Sequence, residues 1–130
     1  MKKIFLYTKR AFHISNIGLI LNYLYPGSIL GWLLYGDKQK QPQLTSDFLL
    51  FSSNHVYAFL VLSFLGLISY YKNKVKILFL YLFFISVFLE ICHIFIPHRS
   101  FQYQDIFGNF LGVFSIFIFF ILYQLLKSNK

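Results

Sequence analysis

Four apolar runs constrain this chain more than anything else: residues 11–36, 48–71, 76–96 and 106–126. Each approaches or exceeds the roughly 20 residues a helix needs to cross the hydrocarbon core of a bilayer. Backbone polar groups in lipid must be bonded within the segment that carries them, so runs of this length predict helices rather than strands or open loops. The expected fold is all-α, an integral membrane bundle of four transmembrane helices forming one domain over residues 1–130. Composition agrees: 58% of the residues are hydrophobic and 12% charged, against about 25% charged in an average soluble domain.

A formal net charge of +8 in a soluble protein would suggest nucleic acid, but here the placement of the basic residues argues for topology. Lys2, Lys3, Lys9 and Arg10 precede the first run, Lys72, Lys74 and Lys76 lie between the second and third, and Lys127 and Lys130 follow the fourth. The alternate loops carry only Lys38, Lys40 and Arg99. Short loops rich in Lys and Arg stay cytoplasmic. Both termini are therefore expected inside, with the Asp37–Asp47 and Pro97–Asp105 loops outside. The apolar stretch after Lys3 is broken by Lys9 and Arg10 without a small-residue cleavage pattern, so no cleaved signal peptide is expected. Cys92 is the single cysteine, which leaves no intramolecular disulfide framework.

Residues 1–10 read as a basic arm, either a plain topology signal or a short interfacial helix. In the first run, Pro26-Gly27 either kinks one helix or ends it early and leaves residues 28–36 at the interface. Thr45, Ser46 or Asp47 is placed to N-cap the second helix. Tyr70 and Tyr71 match an aromatic belt at its far end. The third helix is expected to stop near Pro97 and the fourth to open at Asp105 or Ile106, with Asp105 on the positive end of the helix dipole.

The polar residues inside these runs carry the functional expectation. His55 lies about seven residues below the start of the second run and Glu90 about seven below the end of the third, which places both roughly 10 Å into the membrane from the outer side. Arg99 is in the intervening loop, and Asp105, Asn109 and Gly112 share a face at helical spacing. A charge at that depth costs about 2.5 kcal/mol or more, so Glu90 must be turned inward, paired or protonated. Arg99 is its expected partner, with Asp105 competing for the same guanidinium. Two carboxylates facing one arginine leave room for a shared proton, for His55, or for a cationic ligand group. The inner half of the runs holds no comparable set, which argues against an ion or proton wire across the membrane.

The segment Glu90-x2-His93, Pro97-x-Arg99, Asp105-x3-Asn109-x2-Gly112 resembles the signature of the VanZ-like membrane family, named for low-level teicoplanin resistance. That family typically shows Glu-x-x-Gln, a proline with an arginine, and Asp-x3-Asn-x2-Gly leading into the last helix. His55-x3-Phe59-x2-Leu62 is similar to its histidine-aromatic-leucine segment, without the Asp-Lys pair usual before the histidine; His93 stands where a glutamine is common. The similarity covers roughly residues 47–115. It implies a small four-helix integral membrane protein of the bacterial cytoplasmic membrane and cell envelope, with a link to antibiotic resistance.

Residue chemistry leads to a ligand-binding set of His55, Glu90, Arg99, Asp105 and Asn109, with Gly112 in helix packing. The expected partner is a membrane lipid or a lipid-linked envelope precursor or, as the resemblance implies, a glycopeptide antibiotic, with Arg99 holding an anionic group. Alternatives are an intramembrane enzyme using His55 or Glu90 as general base, a small membrane scaffold, or a salt-bridge network that merely fixes how the third and fourth helices meet. No cofactor and no nucleic acid is expected. No metal is expected either, because Glu90 and His93 are the only two such residues at ligand spacing within one segment.

Overall fold

The computed structural model describes residues 2–128, with the side chains of Lys2 and Lys3 excepted; those two side chains and Lys130, counted above in the basic asymmetry, lie outside the described residues. The described chain contains five α-helices and no strand: α1 (Lys2–Leu24), α2 (Ile29–Tyr35), α3 (Ser53–Tyr70), α4 (Val75–Cys92, extended by a 3-10 turn over His93–Phe95) and α5 (Tyr103–Ser128). Three of them, α3, α4 with its 3-10 extension and α5, are long and apolar enough to cross a membrane, and the bent pair α1–α2 makes a fourth if taken as one span. Their surfaces agree with immersion in lipid: Leu80, Phe84, Leu122 and Leu126 are exposed, an apolar outer face that water would penalise.

The first run is not one straight helix. Residues 2–10 continue directly into α1, so the basic arm is its first turns. α1 ends at Leu24, and α2 leaves at 88° to it. Pro26 has no N–H to extend the ladder, Gly27 takes φ 97°, and Ser28 N-caps α2 by accepting the Gly31 N–H at 2.9 Å. The loop after α2 folds back on this elbow, with the Ser28 N–H donating to the Lys38 carbonyl at 2.7 Å. Gly31 admits no side chain there, because a Cβ would meet the Lys40 carbonyl oxygen at 1.7 Å.

α3 starts five residues later than the 48–71 run suggests: Phe48–Phe51 close a turn on themselves, and helix begins at Ser53, with Ser52 rather than Thr45, Ser46 or Asp47 at the Ncap position. Asp47 does not cap from the Ncap position. It reaches in from the loop and accepts the Ser53 N–H at 2.9 Å, serving an otherwise orphaned donor of the first turn. α4 stops before Pro97 and α5 opens at Tyr103, with Asp105 in its first turn.

α3 is the centre of the bundle and packs on α1, α4 and α5. Its approach to α5 is set by two glycines. A Cβ on Gly112 would lie 2.6 Å from the Val56 carbonyl oxygen and 2.8 Å from the Leu60 nitrogen, and one on Gly108 would lie 2.7 Å from the Ser52 carbonyl oxygen. The stretch Gly108-x3-Gly112 is thus a small-x3-small contact of the kind that lets membrane helices meet backbone to backbone. Phe59, Leu62, Leu82, Leu89 and Val113 fill the interior, and α4 and α5 add facing aromatic rings, Phe83–Phe110 at 4.9 Å and Phe79–Phe117 at 5.0 Å between centroids.

A buried polar cluster at one end of the bundle

The end of α1, the start of α3, the end of α4 and the start of α5 meet at one end of the bundle, and there the interior turns polar. Asn109 is fully buried and its orientation is fixed: Nδ2 donates to the Ser86 carbonyl at 2.9 Å. Its Oδ1 therefore faces the other way and accepts the Tyr23 hydroxyl proton at 2.6 Å. His55 Nδ1 lies 3.0 Å from the same Oδ1 and 2.7 Å from the Tyr23 oxygen. The Tyr23 proton is already committed and Oδ1 only accepts, so the network assigns the hydrogen to His55 Nδ1. The opposite nitrogen, Nε2, points toward Asp105, 3.6 Å from its Oδ2.

Glu90 sits behind this pair with no exposed surface. Its Oε1 accepts the Gln102 N–H at 3.1 Å and lies 3.1 Å from His93 Nδ1. His93 Nε2 faces the Tyr23 carbonyl at 3.1 Å, and a carbonyl only accepts, so that nitrogen carries a hydrogen. One further proton then has to lie between His93 Nδ1 and the Glu90 carboxylate. Glu90 Oε2 has no partner among the described residues although it is buried. Leaving such an atom unbonded costs about 1–3 kcal/mol, and more for a charged group.

Arg99 is not where the sequence suggests. It pairs with neither Glu90 nor Asp105. Its Nη2 donates to the Asn22 carbonyl at 2.6 Å and its Nε to the Tyr25 carbonyl at 3.3 Å. The cause is Pro26: the Asn22 carbonyl would accept from residue 26 in a continuing helix, and proline has no hydrogen to give. The last turn of α1 is also the negative end of its dipole, which favours a cation. With His93 on the Tyr23 carbonyl, three carbonyls orphaned by the break are answered from the α4–α5 connection. Burial pushes the Arg99 guanidinium below its ordinary pKa, and Tyr23, Glu90 and Asp105 oppose that shift; arginine stays charged throughout.

Two cavities meet at Arg99. One, of about 560 Å³, is an apolar cleft between α1, α2, the loop before α3 and α3, lined by Leu19, Leu30, Leu34, Leu44, Ala58 and Val61, with Tyr23, His55, His93 and Arg99 at its polar end. The other, of about 470 Å³, is polar and is lined by Lys38, His93, His98, Arg99, Gln102 and Asp105. Of the residues expected to bind ligand, His55 borders the first cavity, Asp105 the second and Arg99 both. Glu90 and Asn109 are fully buried; Asn109 holds His55, and Glu90 engages the Gln102 N–H and His93. His55, Glu90 and Asp105 each offer a metal-ligand atom, all within 4.8 Å of one another.

Tyr23 and Gly108 are the residues that sequence reasoning missed. Gly108 was signalled by the small-x3-small spacing to Gly112. Tyr23 carried no signal, because a tyrosine in an apolar run reads as core or belt. Comparison with family models, with curated protein sequences and with solved structures returns no match.

Proposed function

We propose that this chain is a VanZ-like integral membrane protein that binds an amphiphile with an anionic head, either a membrane lipid or lipid-linked envelope precursor or a lipoglycopeptide antibiotic. The carrying observation is the position of Arg99 at the junction of an apolar cleft and a polar cavity. A hydrocarbon tail suits the first and a phosphate or carboxylate the second. Arg99 spends Nε and Nη2 on the α1 carbonyls, and among the described residues its Nη1 has no acceptor, which leaves donors for the head group. Lys38 and His98 line the same cavity and add positive charge or hydrogen-bond donors. Asp105 and His55 would accept from or donate to hydroxyls of a sugar or glycerol.

The orientation belongs to the proposal. With the basic residues of the α3–α4 turn and the chain ends in the cytoplasm, the cluster opens to the outer leaflet, where envelope precursors and glycopeptides are met. Teicoplanin susceptibility and envelope lipid composition of cells expressing wild type or Arg99→Ala at equal folded levels test this. Loss of the wild-type phenotype in the variant is expected; an unchanged phenotype would remove Arg99 from the function.

A further inference from the structure

We propose that His55, Glu90 and Asp105 form a binding site for one first-row divalent cation, foremost Zn²⁺. Three observations converge. First, the tautomer of His55 is set from behind by Asn109 and Tyr23, which leaves the Nε2 lone pair directed at a carboxylate. An imidazole whose far nitrogen is held by an outer partner is the usual arrangement of a metal-ligating histidine. Second, two acceptors facing each other need a positive charge between them, and the separation says which kind. At 3.6 Å the pair is longer than a charge-assisted hydrogen bond, about 2.7–2.9 Å. It equals the distance between two tetrahedral ligand atoms, about 3.3–3.6 Å when each lies 2.0–2.2 Å from the ion. Third, the remaining member of the set, Glu90, carries a fully buried oxygen, Oε2, without a partner.

The cation that sequence assigns to these carboxylates is spent elsewhere: Arg99 is bonded to the carbonyls of α1. Arg99 acts on the carboxylates through its nearby charge but makes no hydrogen bond to either. Three neighbouring ligand atoms lie within 4.8 Å of one another, and to close onto one ion the Glu90 carboxylate would turn toward the His55–Asp105 pair. A mixed imidazole and carboxylate set suits Zn²⁺ above Mg²⁺ or Ca²⁺. Asp105 borders the polar cavity, so a fourth coordination position would be open to that side, as in a site that exchanges ligands rather than a closed structural one. The site shares residues with the proposed headgroup pocket but does not rest on it, since metal content and lipid content are measured separately in one preparation.

The test uses the full chain purified in detergent with any affinity tag removed, stripped with a chelator, reloaded with Zn²⁺ or Mn²⁺ and desalted. Elemental analysis is expected to find about one tightly held Zn²⁺ per chain. His55→Ala and Asp105→Asn should each weaken binding by at least about 100-fold, while His13→Gln, at the opposite end of the bundle, should not. X-ray absorption on the loaded wild type needs no variant to fold: a nitrogen and oxygen shell near 2.0–2.1 Å with imidazole outer scattering is expected. Failure of the wild type to retain metal, retention that survives both ligand substitutions, or a sulfur or all-oxygen shell would each overturn the proposal.

Discussion

The two ends of this bundle handle polar side chains in opposite ways. Where α3 turns into α4, His13 and Tyr70 share one exposed hydrogen bond of 3.0 Å and Lys9 lies over the Tyr70 ring. These contacts are simple pairs at the surface, each weakly stabilising. At the other end Tyr23, His55, Glu90, His93 and Asn109 are all buried and joined in one network that leaves a carboxylate oxygen unbonded. Helix packing alone is achieved at the first end without buried charge. The second end therefore buries polar groups that helix packing by itself does not call for, and one carboxylate oxygen among them is left unbonded.

The contrast is sharpened first at the helix contact beneath the cluster. Gly112→Leu forces a side chain into the α3 backbone, 2.6 Å from the Val56 carbonyl oxygen, and should destabilise by about 3 kcal/mol or more in chemical unfolding in detergent. Asn109→Leu removes the bonds to Ser86, Tyr23 and His55 while keeping apolar volume. A loss of about 3 kcal/mol is expected; a neutral result would mean the network is not formed. Arg99→Lys keeps the charge but not the fork that spans Asn22 and Tyr25, and should cost about 1–2 kcal/mol. At the opposite end, His13→Phe should change stability by less than about 0.5 kcal/mol. An effect there equal to that of Asn109→Leu would erase the distinction between the two ends.

The all-helical class and the apolar helices long enough to cross a membrane were legible because length and hydropathy are local properties. The elbow at Pro26 was legible as an alternative only; whether a proline kinks or ends a helix depends on what answers the freed carbonyls, here Arg99 and His93 from a segment some 70 residues on. The partner of Arg99 was misjudged for the same reason. Opposite charges stand out in a sequence, whereas an orphaned carbonyl has no letter of its own. The start of α3 was placed too early because Phe48–Phe51 is as apolar as a helix turn, yet it folds on itself and leaves Leu49 94% exposed.

In the proposed function, Arg99 holds the head of an amphiphile whose tail lies in the adjoining cleft. Mass spectrometry of lipids retained by wild type and by Arg99→Ala, purified side by side from the same membranes, tests it most directly. An anionic lipid or lipid-linked phosphate retained by the wild type and depleted at least about tenfold in the variant is the predicted result. Identical lipids in identical amounts, with both proteins folded, would contradict it.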